Sequence, residues 1–241
     1  MESEIVESQG MYVMQEGRKV LSAEGSRFLT RVYGWMGLAL VVSAVSALFS
    51  ATNVTMQHFL RNTQFGFIAV ILAELALVFV IGSRIRTMST AVASVLFVLY
   101  SALNGITLSS IFFVYQLGSI VSVFAITAAM FAVMSVYGAV TKRSLGTMGN
   151  YLMMALIGVI IASLVNALLL KSSMMDYIIS IVGVLIFTGL TAWDTQKVMG
   201  TAQQADGREA YRRVAIIGAF ELYLDFVNLF LYMLRLLGKR R

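Results

Sequence analysis

The chain has 241 residues, of which 59% are hydrophobic and 12% charged, with a formal net charge of +6. So apolar a composition excludes an ordinary soluble domain, and the basic excess forms no aromatic-interleaved face of the kind that grips nucleic acid. Cysteine is absent, which excludes disulfides and thiolate chemistry, and the single histidine, His58, falls in what reads as a connecting loop, which argues against a histidine metal site and a Ser-His-Asp triad.

Residues 1–27 read as a polar tail of mixed charge with no signal-peptide core, expected to be disordered or a short surface helix. Residues 28–241 read as a membrane domain, whose first span is expected to serve as the uncleaved insertion signal. Val32 to Gln57 carries no charge, enough for span one at about 32–51, since a crossing needs roughly 20 apolar residues. Span two, about 65–83, is apolar except for Glu74 at its middle, and it ends in Arg84 and Arg86. From Thr87 to Thr141 no charged residue occurs, too long a stretch for one crossing, so it must turn at Gln116–Ser119 into spans three (89–115) and four (119–140). Ser101, Gly105 and Ser109 recur every four residues in span three, a small-residue face that admits a neighbouring helix, and Asn104 beside them needs a partner. Span five (150–170) carries Asn166. Spans six (177–198) and seven (214–237) complete an all-α membrane protein of seven transmembrane helices.

With the N-terminus cytoplasmic, 12 of the 18 basic residues fall on the inner side and only Arg61 and Lys171 in outer loops. The last four, Arg235, Lys239, Arg240 and Arg241, then lie outside. Either the seventh segment stops short, or the first six spans outvote the tail; the second is expected.

Spans six and seven carry the chemistry. Glu221, Asp225, Asn228, Tyr232 and Arg235 are spaced by four, three, four and three, a single helical face. A polar stripe cannot look at lipid without large cost, so the seventh helix should lie inside the bundle. In span six, Thr188, Thr191, Asp194 and Thr195 offer a partner surface. Counting out from the turn at Asp206-Gly207 sets Glu221 nearly level with Asp194, and Asp225 one to two turns deeper. Two carboxyls in low dielectric cannot easily both ionise, so this pair should titrate in two separated steps and share a proton near neutrality. On losing that proton, one aspartate could be drawn to a cation, of which Arg84 and Arg86 are the nearest expected. Ionised, Asp194 and Asp225 are hard oxygen ligands suited to Ca²⁺.

At this point the residues carry a resemblance. WDTQKV closing span six and ELYLDFVNLFLYMLRLLG in span seven are similar to the signature of the Bax inhibitor family, the transmembrane Bax inhibitor motif proteins. RVYGWMGLAL in span one, ILAEL in span two and NGITLSSIF in span three add to it, and Trp193 stands where tyrosine is expected. The resemblance implies seven helices with the last at the centre, and a pH-regulated Ca²⁺ leak with Asp194 and Asp225 as sensor and gate. It further implies an arginine at the end of span two, Arg84 or Arg86, competing for an aspartate. A bacterial inner-membrane member without apoptotic partners is expected: a monomer, not an enzyme, with no cofactor, exchanging Ca²⁺ and protons.

The alternative is a regulator of a membrane-anchored protease that carries no flux. A proton-coupled transporter would also accommodate mid-span acids. An intramembrane aspartyl protease would need a GxGD element where this chain has LYLD.

Overall fold

In a computed structural model describing residues 22–62, 66–84, 88–206 and 208–241, the chain is helical nearly throughout, with one isolated β-bridge and no strand among those residues. The helices are α1 (Ala23–Thr52), α2 (Val54–Asn62), α3 (Gly66–Arg84), α4 (Thr90–Leu108), α5 (Ile111–Val114), α6 (Leu117–Val140), α7 (Gly146–Val165), α8 (Ser173–Ala202) and α9 (Glu209–Leu237). A π-helical turn, Asn166–Leu170, extends α7. Among the described residues, seven segments are long and apolar enough to cross a bilayer: α1, α3, α4 with α5, α6, α7 with its π turn, α8 and α9.

Helix ends overrun the apolar runs that predict them. α1 starts at Ala23, not near residue 32, because the Ser22 hydroxyl accepts the Gly25 N–H at 3.0 Å and Glu24 follows in the first turn. A capped polar turn of this kind can stand beyond the hydrocarbon, where hydropathy sees no span. Likewise α8 begins at Ser173, where Ser172 accepts the Met175 N–H at 3.3 Å. His58, expected in a loop, lies on the short helix α2. The tail expected over residues 1–27 falls outside the described residues up to position 21.

The small-residue face of α4 meets α1. A Cβ on Gly105 would stand 2.4 Å from the Ser43 carbonyl oxygen, so only glycine allows this approach. Ser43 Oγ donates to the Ser101 carbonyl at 2.7 Å and Ser46 Oγ to the Ala102 carbonyl at 2.9 Å, adding hydrogen bonds where the backbones are closest. Asn166 joins the end of α7 to the start of α8, its Nδ2 donating to Asp176 Oδ1 at 2.7 Å and to the Ser172 carbonyl at 3.1 Å.

α9 occupies the centre. Two thirds of its apolar window, 67%, is buried, against 11–39% in the other six spanning segments. It packs against α1, α4, α6 and α8. Its aromatic residues meet their neighbours edge to face: Phe220 and Tyr223 against Phe97 and Tyr100 of α4, Phe226 and Phe230 against Phe124 of α6. Edge contact of this kind favours ring quadrupoles beyond simple area burial. Beyond α9, Arg240 pairs with Tyr115 in the isolated bridge, the Gln116 N–H donates to the Lys239 carbonyl at 3.0 Å, and the Arg241 N–H to the Val114 carbonyl at 3.0 Å. The seventh helix therefore ends beside the turn that joins α5 to α6.

Candidate functional site: a buried acidic cluster

Asp194 and Asp225 are both buried, at 7% and 4% exposure. Asp194 is aimed at α9 because its flanking positions, Thr191 and Thr195, are turned into the bundle, Thr195 Oγ1 donating to Ser135 Oγ of α6 at 3.3 Å. Asp225 lines the same cavity wall as Asp194, and its buried Oδ2 finds no hydrogen-bond partner among the described residues. A buried carboxyl oxygen without a donor is costly, which marks Asp225 as a group whose position needs a functional account.

Lys197 completes the cluster. Its Nζ stands 2.8 Å from Asp194 Oδ1, one turn back on α8, and 3.0 Å from Glu221 Oε2 across on α9. The same ammonium lies 4.5 Å from the centroid of the Trp193 ring, which in turn fills the space beside Gly149 of α7. The bridge ties α8 to α9 at the level of Asp194 and Glu221. Among the described residues, the cation found against these acids is Lys197 of span six. Arg84 closes α3 and is exposed, while Arg86 lies outside the described residues. Sequence reasoning passed over Lys197, although its signal was present: a position three residues after Asp194, level by the depth count with Glu221.

The cluster opens into a cavity of about 500 Å³. Asp194, Lys197, Glu221, Asp225 and Asn228 supply its polar wall; Leu75 and Val78 of α3 and Leu156 and Ile160 of α7 supply an apolar one. Asn228 donates its amide Nδ2 back to the Leu224 carbonyl at 2.8 Å. Tyr232 closes the far end: its ring stacks on Phe187 at 5.8 Å between centroids, seats on Gly183, and carries the Arg235 guanidinium 5.4 Å from its centroid. Arg235 itself lines a different cavity beyond. The predicted stripe of α9 therefore divides, four residues facing one chamber and the fifth another.

Glu74 is not part of this cluster. It accepts from Thr107 and, at 3.5 Å, from Asn104 Nδ2; Asn104 Oδ1 accepts from Tyr223 OH at 2.9 Å, and that hydroxyl meets Ser43 Oγ at 2.6 Å. This second network links α3, α4, α9 and α1. Asn104 thus finds the interhelical partners expected of it.

Among the described residues no three His, Cys, Asp or Glu side chains converge into a metal cage. A cation crossing here would meet the aspartate pair in competition with Lys197.

A family model described as inhibitor of apoptosis-promoting Bax1 matches residues 25–241. The chain is 47% identical over 216 residues to inner membrane protein YbhL of Escherichia coli strain K12, covering 89% of this chain and 92% of that one. It is 46% identical over 228 residues to an uncharacterised protein of Borreliella burgdorferi, covering 94% and 97%, and 40% identical over 215 residues to protein RP147 of Rickettsia prowazekii, covering 89% and 90%.

Proposed function

The chain belongs to the Bax inhibitor family, and from that premise we propose that it is a pH-sensitive calcium leak of the inner membrane, gated by the proton shared between Asp194 and Asp225. The inner-membrane placement takes its support from the name of the Escherichia coli relative and from the seven apolar helices. The observation that carries the gate is that two buried carboxyls line one cavity, Asp194 held by Lys197 and Asp225 with an oxygen that finds no partner among the described residues.

The charges that act on Asp225 are Asp194 and Lys197 from α8 and Glu221 from its own helix. With one proton on the pair, Lys197 is held by ionised Asp194 and Glu221, and α8 and α9 stay latched. Acid protonates the carboxylates that hold Lys197, removes the attraction and frees the two helices to separate at this level. The sign follows: flux rises as pH falls. Ca²⁺ is the substrate of this pathway. Carboxylate and amide oxygens along α9 suit it as hard ligands, and the apolar wall limits water.

The test is Ca²⁺ flux into liposomes carrying the purified protein from pH 5 to 9, for the wild type and for Asp225→Asn. The wild type is expected to leak more at acid pH, and the substitution to abolish or displace that dependence. If neither protein passes Ca²⁺ at any pH, the leak reading fails for this chain.

A further inference from the structure

At the opposite end of the bundle lies a second cavity, of about 660 Å³, which the leak does not use. Tyr115, Ser163, Ser173, Asp176, Tyr177, Arg235 and Arg240 are the polar side chains of its wall. It is separated from the aspartate pair along α8 by the 18 residues from Asp176 to Asp194, about 27 Å at helical rise.

From this wall we propose that the cavity is a binding site for a phosphate-bearing ligand. Among the described residues neither Arg235 nor Arg240 has a carboxylate partner, since the ion pairs found join Arg27, Lys197 and Arg208 to other acids. The acid in the wall, Asp176, already accepts from Asn166 Nδ2 at 2.7 Å, so two guanidiniums face one engaged carboxylate and positive charge is in excess. Ser163 adds an independent sign: its Oγ is buried, lines the cavity and finds no partner, a hydroxyl left for something not of this chain. Around it stand the hydroxyl side chains of Tyr115, Ser173 and Tyr177, and the N-terminus of α8, whose free backbone N–H groups favour an anion. Guanidinium forks match phosphate oxygens in shape as well as charge.

The volume is that of a headgroup-sized molecule rather than a bare ion. Leu168 and Leu169 of the adjoining π turn are 73% and 76% exposed, an apolar surface beside the cavity against which acyl chains could lie. The site also gives the C-terminal basic residues a role. On topological grounds alone they sit on the wrong side of the membrane; as anion ligands they belong at this end. This site stands or falls apart from the leak.

The experiment measures binding to the full chain in phosphate-free maltoside micelles by calorimetry, with inorganic phosphate in one arm and short-chain phosphatidylglycerol in the other, against chloride at equal ionic strength. Saturable binding of either probe, weakened at least about tenfold by Arg235→Gln and by Arg240→Gln, is the expected result, and the stronger arm identifies the source as free phosphate or lipid. Should Arg235→Gln fail to fold, Arg240→Gln still decides, because Arg240 holds the α6 turn through its backbone. Absence of saturable binding in both arms, or undiminished binding by the arginine variants, overturns the site.

Discussion

The ring of Tyr232 lies so close to Gly183 that a Cβ on the glycine would stand 2.7 Å from three of its carbons. Tyr232 lines the cavity that holds the carboxylates, and Arg235, whose guanidinium lies over its ring, lines the other. Gly183→Ala forces the ring off its stack with Phe187 and should cost about 1–3 kcal/mol, as overpacking does. Thermal unfolding in detergent reads the loss. In a double-mutant cycle, Tyr232→Ala should recover most of it, and additive losses would show that the two residues do not press on each other.

Lys197→Met removes the latch while leaving Asp194 and Glu221 in place. Ca²⁺ flux at pH 8 is expected to rise toward the wild-type value at acid pH, and the pH profile to flatten. A profile that keeps the wild-type shape would assign closure to some other contact.

Tyr223→Phe deletes one hydroxyl from the fully buried centre of α9, leaving Asn104 Oδ1 without its 2.9 Å donor and Ser43 Oγ without its 2.6 Å neighbour. The expected loss is about 1 kcal/mol, the scale of interhelical hydrogen bonds in membranes. Because this network lies apart from the aspartates, the midpoint of the flux profile should not move. A shifted midpoint would couple Glu74 to the gate.

Gly138→Ala should be the most damaging of these changes. A Cβ there would stand 2.1 Å from the Ala192 carbonyl oxygen, a backbone atom that cannot step aside without moving α8 against α6. A loss of about 3 kcal/mol or more is expected, at the upper end of overpacking costs, read as a fall in the yield of monodisperse protein and in its unfolding temperature. An alanine variant that behaves like the wild type would show that the two helices have slack to separate.

The seven spans were legible in the sequence because each is an apolar run bounded by charge, and the central place of α9 because its stripe of Glu221, Asp225, Asn228 and Tyr232 could not face lipid. Depth counting across one short turn set Glu221 level with Asp194, and Lys197 bridges those two residues. Lys197 was harder: an exposed-end lysine looks like a topology marker until side-chain reach across the hairpin is known. The stripe misled in one respect. Period places Arg235 on the same face, but from Glu221 that face runs about 21 Å along the axis, far enough to pass through Tyr232 into another chamber. Glu74 stood out in the sequence only as an acid in the middle of an apolar span, and three-dimensional packing gives it Asn104 and Thr107 as partners.

The helix at the centre of the bundle follows in chain order all four helices that it packs against. During synthesis the earlier helices must therefore wait in the bilayer with Ser43, Asn104 and Asp194 turned toward a place not yet filled, partnered by one another or by water. Assembly closes inward on the arrival of α9, and the strand-like pairing of Arg240 with Tyr115 fastens it there. A ribosome stalled before α9 would leave an open ring with a polar lumen, a natural substrate for membrane quality control.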